Sequence, residues 1–142
     1  MTDNSAIIAA CHRAYTGFEA NDPADLIALM TPDVVFDFPT SLPYGGMFHG
    51  PEGFKAFYDH IHKYYYSVLN YDLHAVLDAG THVIVPAVTR GVSHTGHVMV
   101  NEHCLMFTVA DGWITQARIY ADTAKGRDTI AGMKVYPSAA NG

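Results

Sequence analysis

Hydrophobic and polar residues follow two different periods in the two halves of the chain. In the first half the apolar residues recur every three or four positions, as they do on one face of an α-helix. After Asn70 they alternate with polar residues, which is typical of half-buried β-strands. Helices first and an antiparallel meander second predict an α+β fold, in which one curved sheet packs against helices.

Two helices are predicted before the first strand. Residues 5–20 form the first helix, which Ser5 or Asn4 can cap. Asp22 caps a short second helix, and Pro23 lies in its first turn. The apolar stripe of the first helix consists of Ile7, Ile8, Cys11, Tyr15 and Phe18.

A strand, a loop and a third helix follow. Residues 34–38 form a short buried strand, in which alternation places Asp37 on the side opposite the phenylalanines. The loop of residues 39–50 is rich in Pro and Gly and carries Tyr44, and Pro51 begins the third helix. The inner face of that helix is predicted to comprise Phe54, Phe57, Ile61, Tyr64, Tyr65 and Val68.

Four more strands are predicted in the second half of the chain. They span residues 71–79, 81–93, 97–109 and 113–122, and glycine-containing turns separate them. Pro86 implies a bulge or a sheet edge at its position, because proline has no N–H to donate. Residues 123–132 add one or two helical turns, and the tail of residues 133–142 is predicted to be loose.

Length and composition indicate one domain. The 142 residues are 49% hydrophobic, which is enough for a single core over residues 5–132. Only 15% of the residues are charged, while nine Tyr, seven Phe and one Trp make the chain rich in aromatic groups. We therefore expect part of the apolar surface to line a pocket or a subunit contact.

Charge and cysteine content exclude several classes of protein. The net charge is −6 and no Lys/Arg cluster is longer than a pair, so no nucleic-acid partner is predicted. No apolar run approaches the ~20 residues of a membrane span, and the first residues lack the pattern of a secretory signal. A cytoplasmic protein without membrane contact is expected. Cys11 and Cys104 are interpreted as buried free thiols rather than as a disulfide.

Three stretches resemble the nuclear transport factor 2-like superfamily, and its SnoaL-like branch in particular. They are ANDPADLIALMTPDVVFDFP, PYGGMFHGPEGFKAFY and FTVADGWITQARIYADTA. The branch's PYGG…G loop is similar to residues 43–50, and its YxDT ending to residues 120–123. The resemblance covers nearly the whole chain, which is identified as a single SnoaL-like domain over residues 1–142.

The resemblance implies an architecture and a mode of chemistry. The fold would be a cystatin-like cone, in which a curved, mostly antiparallel sheet wraps around three N-terminal helices and encloses an apolar cavity. Its members commonly form homodimers through the outer face of the sheet. Its enzymes mostly use no metal and no organic cofactor, so we expect none here.

Asp122 is the first catalytic candidate. In SnoaL-like cyclases and limonene epoxide hydrolases the aspartate of the last-strand YxD motif is the general base, and Asp122 matches it. At the end of an apolar strand a carboxylate is expected to be partly desolvated, which would raise its pKa toward the working pH. The alternative is that Asp122 caps the next helix. If Asp122 is the base, the variant Asp122→Asn should lose turnover but keep the native fold.

Asp37 and His103 are the other catalytic candidates. Asp37 precedes Pro39 by two positions, where epoxide hydrolases of this fold hold a polar residue that positions water; otherwise backbone amides satisfy its charge. His103 aligns by eye with the protonated acid that donates to the oxyanion in ketosteroid isomerases, and its alternative is a structural role. The isomerases' base would fall on Phe38, which argues against steroid isomerisation.

Aromatic residues are the candidates for substrate contact. Tyr44 in the loop and Tyr15 in the first helix could bind ligand, and both could instead pack the core. Arg118 shares one face of the last strand with Tyr120 and Asp122, and that face lines the cone or meets water. The full set of predicted substrate contacts is Tyr44, Tyr15, Phe38, Phe57, Phe107, Trp113 and Tyr120.

Metal and phosphate chemistry have little support in the sequence. His60 and His62 are two positions apart on a helix and face different directions. His94 and His97 flank a turn, but a catalytic zinc site needs three protein ligands, and no third is near in sequence. Neither a Gly-rich phosphate loop after a strand nor a GxSxG motif occurs.

These observations predict a cofactor-independent acid–base enzyme of the cyclase, isomerase or dehydratase type. Its substrate would be a small, largely apolar carbonyl or polyketide-like molecule in the cone. One alternative is activation of water for epoxide hydrolysis, although Arg90 lacks the aspartate two residues on that such sites pair with. The other is a non-catalytic module for ligand binding or dimerisation, whose carboxylates would be exposed or salt-bridged.

Overall fold

Residues 3–15 and 23–141 are described by the structure, which is a computed structural model. The helices are α1 (Ser5–Tyr15), α2 (Ala24–Ile27), α3 (Gly50–Tyr64) and α4 (Thr123–Thr129). The strands are β1 (Met30–Phe38), β2 (Gly46–His49), β3 (Tyr66–Leu73), β4 (Leu77–Asp78), β5 (His82–Ser93), β6 (Val98–Ala110) and β7 (Trp113–Ala121), and a 3-10 turn spans Ala139–Asn141. The end of the predicted first helix, with Phe18, and the predicted cap Asp22 lie outside the described residues.

The strands form one mostly antiparallel sheet in the order β2-β1-β7-β6-β5-β3, and β4 pairs with β5. Only the β1–β7 pair among the described strands is parallel. The long β5–β6 hairpin pairs in unbroken register from His82 opposite Thr108 to Val92 opposite Val98. The predicted α+β class with a curved, open sheet and helices is confirmed.

Alternation along the strands decides which side chains form the core. In β1, Phe36 and Phe38 are buried, while Asp37 between them is only partly covered. In β6, Leu105 and Phe107 are buried in the core in the same way. The inner face of the sheet, by which we mean the face that carries these buried residues, therefore forms one continuous apolar layer with the helices.

Several elements differ from the sequence prediction. β1 begins at Met30 rather than at residue 34, and the predicted strand of residues 71–79 is divided between β3 and β4. β2 forms inside the stretch predicted to be a loop, with Phe48 buried and Met47 exposed. β3 begins at Tyr66, where the helical stripe was expected to continue, so that Val68 is exposed rather than inward. The three consecutive tyrosines at positions 64–66 have no period of their own, and the chain changes from helix to strand within them.

Turns and proline follow the prediction. Asp111 and Gly112 have φ values of 52° and 79°, as expected for the β6–β7 turn. The carbonyl of Pro86 accepts a hydrogen bond from the backbone N–H of His74 at 2.9 Å. The nitrogen of Pro86 faces the same neighbouring strands as its carbonyl. On that side the hydrogen-bonded pairing of β5 is interrupted between β3 and β4. The predicted sheet edge at Pro86 is therefore present locally.

The C-terminal segment is packed, although its composition predicted a loose tail. The ring of Tyr136 stacks on Tyr64 with centroids 4.1 Å apart. The hydroxyl of Ser138 is buried and donates to the carbonyl of Gly45 at 2.8 Å. These contacts fasten the segment to α3 and to the loop that carries Tyr44.

Two smaller findings complete the fold. Cys11 and Cys104 are free, with Cys11 buried and Cys104 partly covered. No helix among the described residues is long and apolar enough to cross a membrane.

Candidate active site

An apolar cavity lies between α1, α3 and the inner face of the sheet. Its empty volume is about 620 Å³ with open solvent at its mouth included, of which about 60 Å³ is wide enough for the centre of a water molecule. Most of the described residues that line it are aromatic or aliphatic, and none of them is Asp, Glu, Lys or Arg. The cavity is thus a narrow apolar slot with a few neutral polar groups.

His103 provides the only imidazole among the described residues of the lining. It points inward from β6 and is 7% exposed. Its Nδ1 hydrogen-bonds to Oγ1 of Thr89 on the neighbouring strand β5, and its Nε2 is buried without a hydrogen-bond partner among the described residues. Burial lowers the pKa of His103 to about 4, so the ring is neutral at pH 7.

Three tyrosine hydroxyls form a relay beside His103. The ring of Tyr71 meets His103 edge-on at 5.8 Å between centroids. The Tyr71 and Tyr58 hydroxyls interact, and the Tyr58 hydroxyl donates to that of Tyr15 at 3.4 Å. Burial raises the pKa of all three phenols, which keeps them protonated. Because Tyr15 accepts within the relay, its own O–H remains available to donate into the cavity.

A second polar pair lies at the other end of the same strands. The hydroxyls of Tyr44 and Tyr66 are 2.9 Å apart, and the Tyr66 hydroxyl donates to the sulfur of Met99 at 3.7 Å. Desolvation raises the pKa of both phenols. Asn101 also lines the cavity, but its side-chain amide donates to the backbone carbonyl of Asp122 at 2.9 Å and accepts from its backbone N–H at 3.2 Å.

The carboxylate of Asp122 lies outside the cavity. Its side chain is exposed and accepts hydrogen bonds from the backbone N–H groups of Ala124 at 3.1 Å and Lys125 at 3.3 Å. The expectation that Asp122 is partly desolvated is wrong, because the chain turns into α4 directly after β7 and the carboxylate serves as the N-cap. The structural alternative considered for this residue is the one that the geometry shows.

Asp37 also faces away from the cavity. Its carboxylate forms an ion pair with Nη2 of Arg118 at 2.9 Å, directly across the β1–β7 register. The inward positions on either side are held by Phe36 and Phe38, so alternation sends Asp37 to the opposite, outer face. Arg118 and Tyr120 share that outer face, because Ile119 between them lines the cavity.

The predicted substrate contacts divide into two groups. Tyr44, Tyr15, Phe38 and Phe57 line the cavity together with His103. The remaining three do not: Phe107 is a fully buried core residue, and Trp113 and Tyr120 are about half exposed.

Five polar residues of the cavity were not predicted as site residues from the sequence: Tyr58, Tyr66, Tyr71, Thr89 and Asn101. Tyr58 follows Phe54 by four positions and so belongs to the inner face of α3, which helical spacing could have shown. Thr89 lies two positions after the buried Ala87 and could have been found from strand alternation. Tyr66 and Tyr71 depended on the start of β3, which was misplaced.

No metal centre is present among the residues that the structure describes, since no three His, Cys, Asp or Glu side chains converge. His94 and His97 hydrogen-bond instead to the carbonyls of His62 and Thr129.

Comparison with known proteins gives one family match. Residues 11–117 match the model of the SnoaL-like domain. That match ends within β7 and therefore does not include Asp122. No curated protein matches the sequence significantly.

Many solved structures share the fold. An NTF2-like protein of unknown function from Burkholderia pseudomallei is 21% identical with a TM-score of 0.80, over 90% of this chain and 99% of that one. TerC, co-crystallised with polyporic acid, is 24% identical with a TM-score of 0.76, over 89% and 98%. A protein proposed to be a SnoaL-like polyketide cyclase, from Jannaschia sp., is 19% identical with a TM-score of 0.72, over 92% and 95%. At these identities the likeness shows the fold alone.

Proposed function

We propose that this chain, which belongs to the SnoaL-like domain family, is a cofactor-independent acid–base enzyme. Its reaction would be a cyclisation, an isomerisation or a dehydration of a small, largely apolar carbonyl or polyketide-like molecule. One observation carries the proposal: His103 places a buried ring nitrogen, Nε2, that has no hydrogen-bond partner among the described residues, in the lining of an apolar cavity beside protonated phenols. Strongly perturbed titratable groups in a pocket are typical of catalytic sites.

His103 is the group best placed to move a proton. In the tautomer that carries its proton on Nδ1, His103 donates to Oγ1 of Thr89 and keeps the lone pair of Nε2 free to remove a proton from the carbon next to a carbonyl. The imidazole is a weak base while the cavity holds no negative charge. The enolate that forms beside it stabilises the imidazolium by charge attraction, which compensates for the desolvation.

Tyr15 supplies the donor for the developing oxyanion. Its hydroxyl is polarised by the bond from Tyr58 and remains protonated because burial raises its pKa. A hydrogen bond from Tyr15 to the substrate carbonyl therefore strengthens as negative charge develops on that oxygen. The enolate can then take the proton back at another carbon, attack a second carbonyl, or expel a hydroxyl group that leaves as water.

Asp122 and Asp37 have no direct part in the proposed chemistry, because neither lines the cavity. Asp122 caps α4, and its backbone is held by Asn101 of the cavity lining. Arg118 neutralises Asp37 on the outer face of the sheet. The described lining therefore contains no carboxylate that could activate water for epoxide hydrolysis.

Exchange of hydrogen at an enolisable carbon tests the proposal without knowledge of the natural substrate. We expect the protein to accelerate the exchange of the protons next to the carbonyl of 1-tetralone in D₂O, followed by proton NMR. His103→Gln should lower the rate about a hundred- to ten-thousand-fold, because general base catalysis is lost. An exchange rate that is no faster than in buffer, or that His103→Gln leaves unchanged, would reject the proposal.

A non-catalytic ligand-binding module is the second candidate. It is favoured by the placement of the two aspartates, one capping a helix and one in an ion pair, both outside the cavity. TerC, a protein of this fold, was co-crystallised with polyporic acid, and a bound small molecule is compatible with either candidate. Binding of 1-tetralone without any acceleration of exchange would select this module.

We also propose a cytoplasmic homodimer that associates through the outer face of the sheet. That face carries exposed apolar side chains on several strands, including Met47, Leu77, Val100 and Tyr120. Patches of this kind mark protein–protein contacts.

A further inference from the structure

We propose that the cavity binds an uncharged hydroxyaryl ketone at two points. The carbonyl would lie at the end formed by His103 and Tyr15, and the hydroxyl would donate to Tyr44 at the other end. The inference deepens the proposed function and rests on it for the identification of the cavity as the active site.

The two polar ends are separated along both strands that carry them. On β6, Met99 of the Tyr44–Tyr66 end is four residues from His103, which corresponds to about 13 Å of extended chain. On β3, Tyr66 and Tyr71 are five residues apart, with the buried Leu69 between them.

The space between the two ends offers no further polar contact on β6. The side chain of Asn101, which lies between Met99 and His103, is occupied by the backbone of Asp122. A ligand that satisfies both ends therefore needs two polar groups joined by an apolar body, and the many aromatic side chains of the lining favour an aromatic ring as that body.

The two ends require different groups from the ligand. In the arrangement in which the Tyr66 hydroxyl donates to the sulfur of Met99, the hydrogen between Tyr44 and Tyr66 comes from Tyr44, and the proposal adopts this arrangement. Tyr44 thus presents only oxygen lone pairs to the cavity and matches a donor such as a phenol. Tyr15 presents an O–H and matches an acceptor such as a carbonyl oxygen.

The cavity has no means of binding a charged ligand. None of the described lining residues carries a carboxylate, ammonium or guanidinium group, and His103 and the phenols are neutral at pH 7. An ion that enters would lose its hydration without gaining a counter-charge, which is costly in an apolar environment. The substrate class is therefore limited to neutral molecules.

Three matched probes test the two-point site: 6-hydroxy-1-tetralone, 6-methoxy-1-tetralone and 1-tetralone itself. We expect the wild-type protein to bind the hydroxy compound about two- to tenfold more tightly than the methoxy compound in isothermal titration, since one hydrogen bond is gained. Tyr44→Phe should abolish this preference and leave the affinity for 1-tetralone unchanged. The matched control is Tyr64→Phe, because Tyr64 lies outside the cavity lining and stacks on Tyr136; it should keep the preference.

Equal affinity of the wild-type protein for the hydroxy and methoxy compounds would overturn the inference, as would an equal loss of affinity for all three probes in Tyr44→Phe. A tetralone carboxylate of the same ring size should bind at least about a hundredfold more weakly than 6-hydroxy-1-tetralone, and equal binding would overturn the neutral class. These are binding measurements and need no turnover. A Tyr44-dependent preference without hydrogen exchange would uphold the two-point site and reject the enzymatic function.

Discussion

At the scale of single residues, His103 is maintained in a state that folding alone does not favour. Its Nε2 is buried without a partner among the described residues, and such a group costs about 1–3 kcal/mol relative to a solvated one. Thr89 holds the other ring nitrogen and so fixes the orientation of the ring. An imidazole that is kept neutral and unpartnered inside an apolar slot is suited to accept a proton from a ligand.

The lowered pKa of His103 predicts how stability depends on pH. Above 6.5, the ordinary value for histidine, the ring is neutral in both the folded and the unfolded chain. As the pH falls from 6.5 toward 4, the unfolded chain binds the proton and the folded protein does not, so the free energy of unfolding decreases, by about 3 kcal/mol at pH 4.

Urea unfolding of the wild-type protein and of His103→Gln at neutral pH and near pH 4 measures this contribution. The wild-type protein should lose about 3 kcal/mol more than the variant over that interval, because the other titratable groups are common to both. Equal losses in the two proteins would show that His103 is not desolvated.

At the scale of secondary-structure elements, the junction of β7 and α4 explains why Asp122, predicted to be the catalytic base, lies outside the cavity. Asp122 ends an apolar strand and starts a helix, and sequence spacing gives both readings equal support. The structure has Asp122 as the N-cap, because the carboxylate accepts hydrogen bonds from two backbone N–H groups at the start of α4. Asp122→Ala should therefore lower the free energy of unfolding by about 1 kcal/mol, whereas Asp122→Asn, which can still cap, should change it by a few tenths.

Chemical denaturation of the two Asp122 variants separates the capping role from the others. If Asp122→Asn destabilises the protein as much as Asp122→Ala, the charge rather than the cap is what the fold requires.

The elements that could be predicted were those with a clear period. The inward phenylalanines of β1 and the paired strands β5 to β7 followed alternation, and Pro51 correctly marked the start of α3. β2 was missed because its four residues lie within a Pro/Gly-rich stretch. The start of β3 was missed because residues 64–66 are all tyrosine, and two polar residues of the cavity, Tyr66 and Tyr71, were missed with it.

At the scale of the whole molecule, the sheet separates two environments. Its inner face and the helices enclose a cavity whose described lining carries no formal charge, while the outer face carries the Asp37–Arg118 ion pair and exposed apolar groups. The sequence alone could predict the cone and its aromatic lining. It could not show that both candidate carboxylates lie outside it, because that depends on which face of a strand the cavity occupies.

A charged substitution on the outer face of the sheet tests the proposed dimer. Val100→Lys places a charge on β6 at a position that is 46% exposed in the single chain, and we expect it to convert a dimer to a monomer in sedimentation velocity. Val135→Lys is the matched control, since Val135 is exposed on the C-terminal segment and should leave the dimer intact. A wild-type protein that sediments as a monomer at high concentration would contradict the proposed association.

The central claim is that the proton is moved by an imidazole inside the cavity and not by a carboxylate at its rim. Its most direct test compares His103→Gln and Asp122→Asn in the 1-tetralone exchange assay, with both variants confirmed as folded by circular dichroism. The account predicts that His103→Gln loses about a hundredfold or more of the exchange rate and that Asp122→Asn retains it nearly in full. The opposite result, with exchange lost in Asp122→Asn and kept in His103→Gln, would contradict the account.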